Sequence, residues 1–75
     1  MRGDQKERFR RLGLNIAYQR KINGLTQERL SEKIDISRTH LGRIETGDCA
    51  PSVEVLFDLA EALGISADRF FRSND

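Results

Sequence analysis

The sequence holds a single cysteine, Cys49, and a single histidine, His40. A lone cysteine excludes an internal disulfide, and this pair is too few to supply a zinc cluster of Cys and His ligands. No stretch resembles a signal peptide, and no apolar run approaches the roughly 20 residues that span a bilayer. A soluble, cytoplasmic chain with no membrane partner is therefore expected. Sustained alternation of apolar and polar residues is missing too, so no β-strand is expected. No repeat, low-complexity tract or Pro/Gly/Ser linker divides the chain. At 75 residues there is room for one core, which buries only about 60% of the surface of the unfolded chain. A cleft that surrounds a substrate would compete with that core for the same apolar side chains. Cys49 has no base beside it in the sequence and His40 no partner nucleophile. The expectation is a binding module, not an enzyme, with no cofactor and no evident small-molecule effector.

The net charge of +1 conceals a strong polarity. Residues 1 to 43 carry eleven Lys/Arg against five Asp/Glu, a balance of +6, whereas residues 44 to 75 carry two against seven, a balance of −5. A basic first half suits a polyanion, and an acidic second half suits solvent or a partner. Charge alone is equally satisfied by ordinary solvated helix faces.

Helix signals fill the rest of the sequence. A charged arm over residues 1 to 8 precedes a domain over residues 9 to 73. Phe9, Leu12, Ile16 and the stem of Arg20 recur every three or four residues, predicting a first helix that ends at Asn23-Gly24. Thr26 caps a short second helix, with Glu28 near its positive end and Leu30 and Ile34 inward. Asp35-Ile36-Ser37 then forms a turn in which Asp35 tolerates a left-handed backbone. Ser37 caps a third helix from Arg38 to about Thr46, with Leu41 and Ile44 inward and Gly47 as terminator. Pro51 and Ser52 open a fourth, whose Val53, Leu56, Phe57, Ala60 and Leu63 follow the amphipathic period up to Gly64. A shorter fifth starts at Ser66 and offers Phe70 and Phe71.

Two short helices joined by a three-residue turn, with Leu30, Ile34, Ile36, Leu41 and Ile44 inward, form the pattern that holds a recognition helix proud of the surface. Ser31 sits where a larger side chain would push the two helices apart. With Leu41 and Ile44 inward, Arg38, Thr39, Gly42 and Arg43 turn outward as one stripe. Arg donates two parallel hydrogen bonds to guanine O6 and N7, and Thr offers a hydroxyl and a methyl that suits thymine. Gly42 costs on the order of 1 kcal/mol in a helix and lets the backbone approach another surface, either DNA or a neighbouring helix. Gln27 and Ser37, at the starts of the second and third helices, are candidate phosphate contacts, joined by His40, Thr46 and Arg20. Ser37 has a capping role as well, Gln27 has less structural reason to be where it is, and His40 also suits the seam between the two helices or open solvent. Arg20 and Glu45 are expected to pair and fix the third helix. Arg2, Lys6, Arg8, Arg10 and Arg11 reach the DNA backbone if the arm is mobile, or form a solvated face.

From Leu12 to Phe71 the chain resembles the Xre/Cro family of phage lambda repressor-like helix-turn-helix domains. The resemblance lies in Gly24-Leu25-Thr26-Gln27-Glu28-Arg29-Leu30, in Ser37-Arg38-Thr39-His40-Leu41, in Arg43-Ile44-Glu45-Thr46-Gly47, and in Pro51 to Phe71. It implies an all-α, five-helix DNA-binding domain whose second and third helices are the helix-turn-helix. It further implies a homodimer on a palindromic double-stranded DNA operator, a phosphate contact by Gln27, base contacts by Arg38, Thr39 and Arg43, and the Arg20 to Glu45 bridge. Arg29 replaces a common acidic residue, Asp35 a common glycine, and Asp48-Cys49-Ala50 lacks the basic residues often present there.

A protein-interaction or antitoxin-like module, whose main partner is another polypeptide, is the competing expectation. The acidic second half permits it, although such a module would more naturally expose apolar residues than Arg38 and Arg43 on the third helix. Self-association is expected from Val55, read as lying on the outer side of the fourth helix, and from Phe70 or Phe71.

Overall fold

A computed structural model of the chain describes residues 3–72. Four α-helices follow one another: α1 (Gly3–Ile22), α2 (Gln27–Lys33), α3 (Arg38–Thr46) and α4 (Val53–Leu63), closed by a 3₁₀ turn over Ala67–Phe71. Local chemistry sets most of these boundaries. The hydroxyls of Thr26, Ser37 and Ser52 accept from the backbone N–H of Arg29, His40 and Val55 respectively, each satisfying a donor that the first helical turn leaves unpaired. Between α2 and α3, Asp35 takes the left-handed conformation at φ 58°.

Two expectations on architecture change. The fifth helix is a single 3₁₀ turn, because Ser66 makes no capping hydrogen bond there and only five residues separate it from the extended Arg72. The expected arm is, over its described residues, the first turns of α1. Arg2 and the boundary at residue 73 lie outside the described residues.

Ile16, Leu30, Leu41, Ile44, Leu59 and Phe70 are fully buried and form one core with Leu12, Ala60 and Leu63. Ile34 and Ile36 pack against it half-buried, so the inward set of the helix-turn-helix gathers as expected. The face of α4 is rotated from the expected one. Leu59, Ala60 and Leu63 are buried and Val55 and Leu56 lean inward, whereas Val53 and Phe57 are exposed. Eight of the eleven α4 residues are apolar, so the pattern alone leaves its phase open. Phe70 enters the core completely and Phe71 stays outside.

The seating of α1 across α3 depends on Gly13. A Cβ there would fall 2.3 Å from the carbonyl oxygen of Ile44 and 2.6 Å from that of Glu45. Only a residue without a side chain allows so close a backbone approach. Gly47 plays the same part just beyond α3, where a Cβ would meet Arg10 Cα at 2.7 Å. At the other side of α1, Asn15 Nδ2 donates to the carbonyls of Phe70 at 2.7 Å and Arg72 at 2.9 Å, tying down the 3₁₀ turn.

Candidate nucleic-acid interface

α3 is held from behind by its apolar residues and from one side by a buried carboxylate. Glu45 accepts from Arg20 Nε at 2.7 Å through Oε2 and from Arg20 Nη2 at 3.0 Å through Oε1, a bidentate pair in which both side chains are buried. Nη1 of the same guanidinium donates to the Leu25 carbonyl at 2.9 Å. Gln27 Nε2 completes the cluster with a 2.9 Å bond to Glu45 Oε1. Charge-assisted, two-pronged hydrogen bonding fixes orientation as well as distance. One carboxylate therefore sets the end of α1, the start of α2 and the angle of α3.

What remains outward on α3 is a single arc. At about 100° per residue, Arg38, Gly42, Thr46, Thr39 and Arg43 fall within about 140° of one another. Arg38, Thr39, Arg43 and Thr46 are all exposed. Neither Arg38 nor Arg43 is drawn into a salt bridge within the described residues. Gly42 lies on the same arc beside Gln27, whose amide atoms a Cβ would meet at 3.8 and 3.9 Å, an ordinary contact. Helix packing therefore does not require glycine at this position.

The other candidates sort by what already holds them. Ser37 is exposed and caps α3 through its oxygen, leaving its hydroxyl hydrogen free to donate outward. Thr46 donates to the Arg43 carbonyl at 3.2 Å from an exposed position. Gln27 has the structural role that its place in the sequence did not suggest, because its amide nitrogen is committed to Glu45. Arg20, also expected to touch phosphate, is buried with all three guanidinium nitrogens engaged by Glu45 and the Leu25 carbonyl. His40 is half-buried, with Nδ1 3.9 Å from Cys49 Sγ; the fold brings together two residues that looked unrelated along the chain. Lys6, Arg8, Arg10 and Arg11 are exposed on helical backbone rather than on an arm, and Arg10 reaches Glu7 at 3.5 Å. Two contributors escape sequence reasoning: Gly13, for which a glycine inside a helical pattern was the available signal, and Asn15.

Short capped helices, a three-residue turn and an exposed, polar second helix on a buried frame define a helix-turn-helix domain. The HTH_3 helix-turn-helix family matches residues 16–70. An uncharacterized HTH-type transcriptional regulator of Bacillus subtilis, YazB, is 43% identical over 56 residues, which is 75% of this chain and 81% of that protein. The cryptic phage CTXphi transcriptional repressor RstR of Vibrio cholerae is 40% identical over 53 residues, covering 71% of this chain and 47% of the repressor. The crystal structure of the restriction-modification controller protein C.AhdI from Aeromonas hydrophila superposes with a TM-score of 0.82 at 28% identity, covering 84% of this chain and 96% of that one. The chain belongs to the HTH_3 family, within the Xre/Cro-like class of DNA-binding transcriptional regulators. No helix among the described residues is long and apolar enough to cross a membrane.

Proposed function

We propose that this chain reads a (pseudo)palindromic operator in double-stranded DNA as a homodimer, inserting α3 into the major groove and so regulating transcription. The observation that carries the reading is the outward arc of α3: two arginines in no ion pair among the described residues and a threonine, presented on a helix whose other side is buried. Arg38 and Arg43 suit guanine O6 and N7, and Thr39 suits a thymine methyl or a base-edge acceptor. Ser37 and His40 border that arc and, with Thr46 at its C-terminal end, supply the phosphate contacts that set register, with Gln27 beside them. Arg20 and Glu45 stay behind the surface and fix the docking angle. The basic first half of the chain draws the domain towards the polyanion.

The reading is tested by fluorescence-anisotropy titration with competition from a genomic fragment library at fixed salt. A subset of fragments is expected to compete better than random DNA, by the roughly 10³-fold or more that separates specific from non-specific binding. Competition no better than random DNA from every fragment would remove sequence specificity. The selected fragments also give the half-site spacing, which a two-fold dimer sets at about one helical turn or a multiple of it.

A further inference from the structure

We propose that the groove between the start of α1 and the 3₁₀ turn binds a small amphiphilic anion, with an aromatic body and a carboxylate head. The groove has a volume of about 440 Å³, within the roughly 300–1,000 Å³ of small-molecule sites. None of its lining residues lies on α2, α3 or α4, so an occupant leaves the outward arc of α3 untouched.

Phe9 and Leu12 line the groove from α1, and Phe70 and Phe71 line it from the 3₁₀ turn. Phe70 is wholly buried and closes the floor, whereas the Phe71 ring is exposed on the far wall. Asn15 Nδ2, through its bonds to the carbonyls of Phe70 and Arg72, holds that wall against α1. Both walls are thus in place before any ligand arrives. Above the α1 wall stand Arg8 and Arg11, both exposed and, three residues apart, about 60° from each other round the helix.

Charge decides the class of occupant. Arg8, Arg11 and Arg72 line the groove, and no carboxylate among the described residues does. Arg72 pairs with Asp68, four residues before it. Arg8 and Arg11 take part in no ion pair among the described residues. Their guanidinium groups attract an anion, and the parallel donors of each match the two oxygens of a carboxylate. The apolar floor and the Phe71 ring favour a flat apolar body, which stacks on the ring and removes its surface from water. A bare anion leaves that wall wet, and a neutral aromatic leaves Arg8 and Arg11 without a counter-charge. Only a molecule with both parts uses the whole groove.

An NMR titration of the full chain without DNA tests the proposal, at neutral pH and about 0.15 M salt so that loose attraction between charges is screened. Indoleacetate and phenylpropanoate are the probes. Tryptophol carries the body without the charge, and acetate and inorganic phosphate carry the charge without the body. Each probe should shift the side-chain resonances of Phe9, Leu12 and Phe71 saturably, and bind at least about tenfold more tightly than tryptophol, acetate or phosphate. Arg8→Gln with Arg11→Gln should weaken probe binding at least about tenfold, and Phe71→Ser should weaken it as well. The proposal is overturned by the absence of a saturable shift with either probe, by equal affinity for tryptophol or phosphate, or by unchanged affinity in both variants. It is equally overturned by shifts that fall instead on the exposed apolar stripes of α1, at Leu14, Tyr18 and Ile22, and of α4, at Val53 and Phe57. If the double arginine variant loses its helical circular dichroism, Phe71→Ser decides alone: weaker binding supports the site and unchanged binding overturns it. The DNA reading stands or falls separately, since no residue of α3 enters the groove.

Discussion

Gln27 Nε2 donates to Glu45 Oε1 at 2.9 Å, and the same oxygen accepts from Arg20 Nη2 at 3.0 Å. The first residue of α2 and the buried arginine of α1 thereby share one acceptor near the end of α3. A change at Gln27 consequently acts on the scaffold as well as on any ligand at the surface.

Removing the carboxylate with Glu45→Ala leaves the Arg20 guanidinium buried without its counter-charge. A buried pair broken in this way costs about 3–5 kcal/mol, whereas an exposed pair is worth about 0–1 kcal/mol. Urea unfolding monitored by circular dichroism should show the larger loss. A change under 1 kcal/mol would mean that the pair is solvated in solution.

Gly13→Ala should destabilise the fold although alanine is the better helix former. The gain in helix propensity is about 1 kcal/mol. Against it stands a Cβ 2.3 Å from the Ile44 carbonyl oxygen, and forcing helices apart in this way costs roughly 1–3 kcal/mol or more. The same unfolding experiment should show a net loss, and a net gain would mean that α1 can shift on α3.

Gly42→Ala is expected to do the reverse. The nearest atoms to its Cβ are the Gln27 amide atoms at 3.8 and 3.9 Å, so the protein should gain up to about 1 kcal/mol in stability from helix propensity. Affinity for the selected operator should fall at the same time, since the added methyl stands on the outward arc of α3 proposed to meet DNA. Unchanged affinity would show that the backbone at Gly42 does not approach DNA closely.

Arg38→Ala and Arg43→Ala should each weaken binding by about 1–3 kcal/mol and relax preference at one operator position, with thermal stability unaffected. Gln27→Ala should weaken binding to all sequences alike and lower the melting temperature as well. Titrations against operators permuted at single positions separate the two behaviours. Equal losses on every sequence for Arg38→Ala would reassign that residue to the phosphate backbone.

Asp35→Gly relieves a left-handed backbone, φ 58°, which costs an ordinary L-residue roughly 1–2 kcal/mol. Part of that is already recovered by aspartate, which tolerates the conformation better than most residues. A gain of up to about 1 kcal/mol in unfolding free energy is expected, and a loss would show that the Asp35 side chain contributes more locally than its backbone costs.

Features that depend on a few neighbouring residues were legible in the sequence. The caps at Thr26 and Ser37, the opening of α4 at Ser52, the left-handed Asp35 and the terminator Gly47 act through bonds to residues only three or four positions away, or through their own φ. The outward set of α3 was legible for the same reason, because Leu41 and Ile44 fix the phase of a nine-residue helix. Where a segment is apolar on most sides, phase is lost: Val55 was read as outer and Val53 and Phe57 as inner, and the structure reverses them. The last five-residue element is too short for a pattern to separate an α-helix from a 3₁₀ turn.

By itself, then, the sequence determined the helical order, the helix-turn-helix and the residues that face outward from α3, because short-range hydrogen bonding and helical periodicity are written in consecutive residues. Only the tertiary structure decided that Gly13 seats α1 on α3, that Gln27 belongs to the Arg20–Glu45 cluster, that His40 meets Cys49, and that the apolar stripes of α1 and α4 stay uncovered. These depend on how close two backbones come and how far each helix is rotated. Both follow from packing the whole core at once, not from the spacing of residues along any one segment.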